Sequence, residues 1–155
     1  MADETRAFRQ VFWTSIILGL TTVVIGNLLR MVDRDLINKA AYEKAGSFLK
    51  TYQPDYFPLL FLMIGFIVAF AIVWVYGMIC PRLPQNWIAR GLLVGGFIFV
   101  IGDLPNAVLS GYTTMLPASA VQGTALTGLA NWLINGCVLT YTYNRLSPEW
   151  KKAGN

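Results

Sequence analysis

The chain has 155 residues, of which 55% are hydrophobic and only 13% are charged, and it contains no histidine. Soluble domains carry about 25% charged residues, so this deficit predicts one domain surrounded mostly by lipid or by other helices. The net charge of +4 comes from basic residues at the ends of apolar runs, which suits anionic headgroups and excludes the continuous basic stripe of a nucleic-acid-binding protein.

Four apolar runs approach the roughly 20 residues that a helix needs to cross the hydrocarbon core. They predict an all-α integral membrane four-helix bundle, a single domain over residues 1–155. The predicted spans cover about residues 11–31, 58–80, 88–112 and 118–143. Pro58 and Pro117 suit first-turn positions, where a missing N–H is no loss, and Pro81 stops the second span.

The connections between the spans differ in length. Residues 32–57 form the predicted outer loop, and apolar residues recur among charges over 33–51, which predicts a short amphipathic helix on the membrane surface. Tyr52, Tyr56 and Phe57 would anchor this loop at the interface. The connection at 113–117 is so short that the third and fourth spans are expected to form an antiparallel hairpin.

Basic residues predict the orientation, because they are more frequent on the cytoplasmic side of a membrane. The side of the N-terminus would hold Arg6, Arg9, Arg82, Arg90, Arg145, Lys151 and Lys152. The opposite side would hold Arg34, Lys39, Lys44 and Lys50, with Arg30 at the border. The excess predicts that both termini face the cytoplasm, in the inner membrane of a bacterium. The first span is expected to be retained, because no convincing cleavage site follows it.

Small residues predict where the helices touch, since membrane helices associate through close packing. The predicted packing positions are Gly19, Gly26, Gly91, Gly95, Gly102 and Gly128. Gly91 and Gly95 have GxxxG spacing. These stripes would face the inside of the bundle or a partner, whereas the bulky second span is expected to be the most lipid-exposed helix.

Asp103 is the only acidic residue deep within an apolar run, and an ionisable group there is costly enough to need a reason. Asn106 shares a helix face with it, and Pro105 frees a backbone carbonyl one turn earlier. The predicted intramembrane polar cluster comprises Asp103, Asn106, Arg30, Asn27, Asn131 and Asn135. The guanidinium of Arg30 is expected to bend inward and pair with Asp103.

Two roles stay open for this polar cluster. In the first, Asp103 is paired or protonated, and the asparagines form hydrogen bonds between helices that hold the bundle together. In the second, the same side chains line a path for ions or protons. A proton relay needs a chain of titratable groups, and the sequence does not provide one.

No catalytic or cofactor site is predicted. Without histidine, neither a Ser–His–Asp nor a Cys–His arrangement can form, and haem would need methionine, cysteine or tyrosine ligands alone. The glycines over 91–102 lack the lysine of a nucleotide-binding loop, and Cys80 and Cys137 match no metal or redox spacing. Contact with lipid, quinone or pigment through aromatic surface stays open.

Several short motifs lie along residues 74–144. They are Val75-Tyr76-Gly77, Arg90-Gly91-Leu92-Leu93-Val94-Gly95, Leu104-Pro105, Tyr112…Met115-Leu116-Pro117 and Gly136…Tyr143. In these motifs the chain resembles a loose class of uncharacterised bacterial four-span integral membrane proteins. The resemblance implies four spans with a hairpin between the last two, and it implies no activity.

The sequence therefore predicts a non-catalytic accessory or structural subunit of a larger bacterial inner-membrane complex, an energy-converting one being an example. The alternative is a small homo-oligomeric channel or permease for ions, protons or small solutes that uses Asp103. A lipid- or stress-related chaperone-like factor is neither supported nor excluded. The expected partners are membrane lipids and either other membrane subunits or further copies of the chain, without nucleic acid.

Overall fold

A computed structural model describes residues 2–45, 57–113 and 117–146. All regular structure in these residues is helical, which confirms the all-α prediction. In chain order the helices are α1 (Ala2–Val32), α2 (Lys39–Ala45), α3 (Phe57–Ile79), α4 (Trp87–Ile101), α5 (Asp103–Thr113) and α6 (Ala118–Leu146). A π-helical turn, Asp33–Ile37, follows α1, and a 3-10 turn, Cys80–Arg82, follows α3.

Three helical stretches among the described residues are long and apolar enough to cross a membrane, which indicates a membrane protein. They are Ala7–Ile37, Leu62–Arg82 and Trp87–Leu109. Helix α6 has 29 residues, enough for a crossing by length, but it is more polar than the other three. Its Asn131, Asn135 and Thr140 are buried, so these polar side chains face other helices rather than the surroundings.

Local sequence explains two of the helix boundaries. Helix α4 is capped by Asn86, whose side chain accepts hydrogen bonds from the backbone N–H of Ile88 at 2.9 Å and of Ala89 at 3.4 Å. This cap satisfies two of the N–H groups that the first turn leaves unpaired. Helix α3 gives way to the 3-10 turn just before Pro81, which cannot donate a helical hydrogen bond.

The third apolar run was expected to form one helix over 88–112, and it is broken at Gly102. Helix α4 ends there and α5 begins at Asp103. The N–H of Gly102 still donates to the carbonyl of Ile98 at 2.9 Å, but Pro105 cannot donate to the carbonyl of Ile101, four residues earlier. The break therefore places Asp103 in the first turn of a separate helix.

The segment after α1 also differs from the single amphipathic helix expected over 33–51. A π-helical turn comes first, and α2 then covers only seven residues. Residues 46–56, with Tyr52 and Tyr56, lie outside the described residues, as do the side chain of Phe57 and residues 114–116 of the hairpin connection. The position of α2 at a membrane surface stays a prediction.

Helix α6 is central and packs against α1, α4 and α5. Its closest contact is the crossing with α4, where backbone meets backbone. A Cβ atom on Gly91 would lie 2.6 Å from the Cα of Cys137, and a Cβ atom on Gly136 would lie 2.9 Å from the Cα of Gly95. Only glycine leaves room for this approach, so Gly136 of α6 complements the GxxxG pair of α4.

The bundle is tightly packed at one end. A buried apolar cluster joins four helices there through Leu18, Ala69, Val73, Tyr76, Val94 and Leu139. The Nε2 of Gln10, in α1, donates to the backbone oxygen of Tyr143, in α6, at 2.8 Å. We call this the closed end. At the opposite end, the open end, a cavity lies between α1, α3, α5 and α6.

Candidate binding cavity

The cavity at the open end has a volume of about 450 Å³, within the range of roughly 300–1,000 Å³ that is usual for small-molecule sites. Its apolar wall comes from α1 and α3 and includes Leu18, Val23, Ile64, Val68 and Ile72. Its polar lining includes Asn27, Arg30, Asp103, Asn106, Thr127 and Asn131. The cavity is therefore amphipathic, with a charged side chain of each sign.

The structure brings the predicted polar cluster together at this cavity. Of its six members, all except Asn135 line the cavity. Asn135 is fully buried beside it and hydrogen-bonds to Asn131. The residues come from three separate parts of the sequence, on α1, α5 and α6, so helix packing and not sequence proximity creates the site.

Asp103 does not form the expected ion pair with Arg30. Its Oδ2 accepts a hydrogen bond from the indole Nε1 of Trp132 at 2.9 Å, and no basic group among the described residues lies within 4.0 Å of its carboxyl oxygens. The break at Gly102 is the physical reason, because it turns the first residue of α5 towards α6. Gly128 makes room there, since a Cβ atom on it would lie 2.8 Å from Oδ2.

The two predicted asparagines of α6 connect that helix to α1. The Nδ2 of Asn135 donates to the backbone oxygen and to Oδ1 of Asn131, both at 2.8 Å. Its Oδ1 accepts from the hydroxyl of Thr21, in α1, at 2.8 Å. Asn131 in turn faces Gly26, on which a Cβ atom would lie 3.5 Å from Nδ2. These contacts hold the two helices together directly beside the cavity.

A double-mutant cycle between Thr21 and Asn135 measures this connection. We expect Thr21→Val and Asn135→Ala to couple by about 0.6 to 1.7 kcal/mol, the range for hydrogen bonds between membrane helices, in reversible unfolding from mixed micelles. Thr127→Val is the matched control, since that hydroxyl bonds only to the carbonyls of Gly123 and Thr124 in its own helix. Equal coupling of both threonines to Asn135 would contradict the assignment.

The predicted packing glycines have different surroundings. Gly26 and Gly128 face the polar side chains just described, and Gly91 and Gly95 lie at the crossing of α4 with α6. Gly19 faces Ala69 of α3 at an ordinary 3.8 Å. Gly102 is the exception: the nearest atom to a Cβ there belongs to Ile98, one turn earlier in α4, so it marks the helix break rather than a contact between helices.

A second polar cluster lies at the open end and was not predicted. Asp33 stands in the charge run Asp33-Arg34-Asp35, which is typical of a solvated surface, yet it is only 3% exposed. Its Oδ1 accepts from Nδ2 of Asn38 at 2.7 Å and its Oδ2 from the hydroxyl of Tyr42 at 3.0 Å. Burial raises the pKa of Tyr42, which keeps its hydroxyl a donor.

Gly123 of α6 makes the burial of Asp33 possible. A Cβ atom on Gly123 would lie 2.8 Å from Cγ of Asp33 and 2.6 Å from Nδ2 of Asn38. The hydroxyl of Tyr42 also lies 3.4 Å from that of Thr124, the next residue of α6. The turn after α1 is thus fixed against α6 beside the cavity. In the sequence, Gly123 is the residue that could have indicated this contact.

At the closed end, Arg90 hydrogen-bonds to the turn and the loop that precede α4. Arg90 donates through Nε to the carbonyl of Pro84 at 2.7 Å and through Nη1 to Sγ of Cys80 at 3.1 Å. Cys80 and Cys137 are both free and half-buried. Within residues 2–45, 57–113 and 117–146, no three cysteine or acidic side chains are grouped in a way that could hold a metal ion.

Comparison with known proteins finds no matching family model and no significant similarity to a curated protein or to a solved structure. The resemblance of residues 74–144 to a class of four-span membrane proteins therefore stays a prediction from the sequence, and the chemistry of the cavity is the basis for assigning a function.

Proposed function

We propose that the chain is a non-catalytic subunit of a larger membrane complex, and that its polar cluster has a structural and binding role. The observation that carries the proposal is the packing beyond the cavity, on the side of the closed end. Beyond Asn131 the Thr21–Asn135 hydrogen bond joins α1 to α6, and Leu18, Val73 and Leu139 fill the closed end. A channel needs a continuous polar path, and this packing interrupts such a path between the cavity and the closed end.

We further propose that α1, α3, the α4–α5 pair and α6 all cross a bacterial inner membrane, with both termini in the cytoplasm. The hydrogen bond between Gln10 and Tyr143 supports a common side for the two termini. The closed end holds Arg9, Arg82, Arg90 and Arg145, and the open end holds Arg30, Arg34 and Lys39. The larger basic group favours the closed end as the cytoplasmic one. Helix α2 would then lie at the outer surface.

Helix α3 offers the surface that we propose for assembly. It packs along α1 and contributes Val73 and Tyr76 to the core, but its other face is exposed. A stripe at helical spacing, Met63, Ile67, Trp74 and Met78, is between 57% and 63% exposed. Methionine adapts its shape to a partner more readily than branched side chains do, which suits a contact between subunits.

Photocrosslinking in native membranes tests the assembly proposal. A photoreactive residue at position 67 should give a discrete adduct with another membrane protein. The same residue at position 97 should not, although Phe97 of α4 is equally exposed, at 61% against 63% for Ile67. After extraction in mild detergent the chain should migrate with larger partners. Migration as a lone monomer, without an adduct from either position, would contradict the proposal.

The channel or permease remains the second candidate function, and the cavity that holds Asp103, Asn106 and Asn131 is the observation in its favour. Proteoliposomes distinguish the two functions. If the chain is a subunit, reconstituted protein carries no more proton or ion flux than empty liposomes. A flux in the parent protein that Asp103→Asn reduces, with the fold intact, would replace the subunit proposal with transport.

A further inference from the structure

The cavity carries two opposite charges that are not joined to each other. Arg30 and Asp103 both line it, yet no ion pair within 4.0 Å connects them or links either one to another described residue. Asp103 accepts its single hydrogen bond within the described chain from Trp132. A charged group at membrane depth is costly unless it is paired or hydrated, which applies to the half-buried Asp103, whereas Arg30 is exposed near the end of α1. The two side chains together suit a ligand with one charge of each sign.

Packing between α1 and α6 gives the spacing of the two charges along the bundle. Gly26 of α1 faces Asn131 of α6. Asp103 lies against Gly128 and Trp132, which are also in α6. Arg30 is four residues beyond Gly26, which places its backbone about 6 Å nearer the open end. Gly128 is likewise three residues nearer the open end than Asn131, so Arg30 and Asp103 lie at nearly the same level of the bundle, and the complementary ligand has its anionic and cationic groups side by side.

An apolar wall adjoins the two charges. Val23 of α1 and Ile64, Val68 and Ile72 of α3 continue the cavity towards the middle of the bundle. On the side of the open end, Arg30 and Thr127 also line a second depression that extends to Tyr42. A ligand with a zwitterionic group near the open end and a hydrocarbon chain beside α3 matches both parts.

We propose that the cavity binds one phospholipid with a primary-amine headgroup, phosphatidylethanolamine. Its phosphate lies at Arg30, its ammonium at Asp103 and one acyl chain along the apolar wall of α3. Two methylene carbons separate the amine from the phosphate ester, so both charges fit side by side at one level of the bundle. The three N–H donors of the ammonium suit the carboxyl of Asp103 and the side-chain oxygen of Asn106. A choline headgroup offers no N–H donor, and a glycerol headgroup offers no cation.

Lipid binding by the purified full-length chain tests this proposal, which does not rest on assembly with other subunits. Delipidated protein is titrated in detergent with phosphatidylethanolamine, phosphatidylcholine or phosphatidylglycerol of equal chain length, and bound lipid is counted by native mass spectrometry. We expect phosphatidylethanolamine to bind roughly tenfold more tightly than the other two, the factor for one hydrogen bond to a charged group. Equal affinity for all three lipids would overturn the proposal.

Two charge variants separate the roles of the two residues. Asp103→Asn should remove the preference for phosphatidylethanolamine over phosphatidylglycerol, because it removes the partner of the ammonium. Arg30→Gln should weaken the binding of all three lipids, because each has a phosphate. Arg82→Gln, an exposed residue of the closed end, is the control and should change nothing. Retention of the full preference by Asp103→Asn would overturn the assignment.

A steric variant keeps the test decisive if a charge variant fails to fold. Gly65 lines the cavity, and a Cβ atom on it meets nothing within 4 Å, so Gly65→Leu should fold and fill the space for the acyl chain. Gly96→Leu is the matched control, since its Cβ is equally unobstructed and α4 does not line the cavity. Gly65→Leu should abolish lipid binding and Gly96→Leu should preserve it; binding in both variants would overturn the proposal.

Soluble glycerophosphoethanolamine distinguishes a lipid site from a site for a free headgroup. It carries both charges and lacks acyl chains, so at micromolar concentration it should not displace the bound lipid. Displacement at that concentration, with no preference among lipids of different chain length, would assign the cavity to a water-soluble ligand and overturn the lipid proposal.

Discussion

Gly136→Ala is expected to lower the free energy of unfolding by about 3 kcal/mol, the upper part of the usual range for overpacking a tight contact. The added methyl would lie 2.8 Å from the backbone nitrogen of Gly95 and 2.9 Å from its Cα. Because these are backbone atoms, the clash cannot be relieved by rotating a side chain, and α4 must move away from α6. Reversible unfolding in mixed micelles measures the loss.

Gly96→Ala is the control for this prediction, since a Cβ atom at Gly96 meets nothing within 4 Å. Alanine is a better helix former than glycine by about 0.5 to 1 kcal/mol, so this variant should be as stable as the parent or more stable. The close crossing of α4 with α6 would be refuted if Gly136→Ala and Gly96→Ala unfolded at the same denaturant concentration.

A loss of about 2 to 3 kcal/mol is expected for Asp33→Ala. The variant leaves the half-buried amide of Asn38 and hydroxyl of Tyr42 without their acceptor, and an unsatisfied buried group costs about 1 to 3 kcal/mol. The turn after α1 would then detach from α6 before the rest of the bundle unfolds. Equilibrium unfolding gives the loss, and limited proteolysis of residues 33–45 detects the detachment.

Asp35→Ala is the matched control two residues away. Asp35 is exposed and pairs only with the neighbouring Arg34, at 2.8 Å, so its loss should leave the unfolding midpoint unchanged. Gly123→Ala should reproduce the effect of Asp33→Ala from the opposite side of the contact, because its Cβ would intrude on the buried carboxyl group. Equal behaviour of the two aspartate variants would show that Asp33 is not buried.

The helices were predictable because membrane-spanning segments have a strong and local signal. The apolar run between Pro58 and Pro81 locates α3 within a residue at each end, since length and hydropathy alone decide it. Helix α1 begins nine residues before its predicted span, because hydropathy does not mark where a helix continues beyond the apolar run. Helix α6 is harder to recognise, because Asn131 and Asn135 lower its apolar character. Their burial explains why polar residues are tolerated there: partner groups on α1 and within α6 satisfy them.

The cavity was only partly predictable. The cluster around Asp103 could be identified because a carboxyl group in an apolar run is rare, but its partner could not. Which neighbour Asp103 meets depends on the direction of α5 after Gly102, and Trp132 is 29 residues away with no spacing rule to connect it. Position along the predicted spans made Arg30 the expected partner, and the break before α5 turned Asp103 towards α6 instead.

Asp33 and Gly136 could not be recognised for a related reason. The residues next to a lone glycine or a charge run do not indicate whether it is buried. Its burial depends on the register between two helices that are distant in sequence. Gly123 and Gly136 are both positions where another segment approaches too closely for a side chain. Glycines on a polar helix that belong to no GxxxG pair would be the signal to look for in similar sequences.

The break at Gly102 divides the third apolar run into two parts with different contacts. Helix α4 packs on α6 through backbone contact at Gly91 and Gly95. Helix α5 forms one side of the cavity and begins directly after Gly102. A tilt of α5 about this joint would widen or narrow the mouth of the cavity without disturbing the crossing. In this arrangement α4 would keep the bundle together while α5, the next helix, adjusts the size of the cavity.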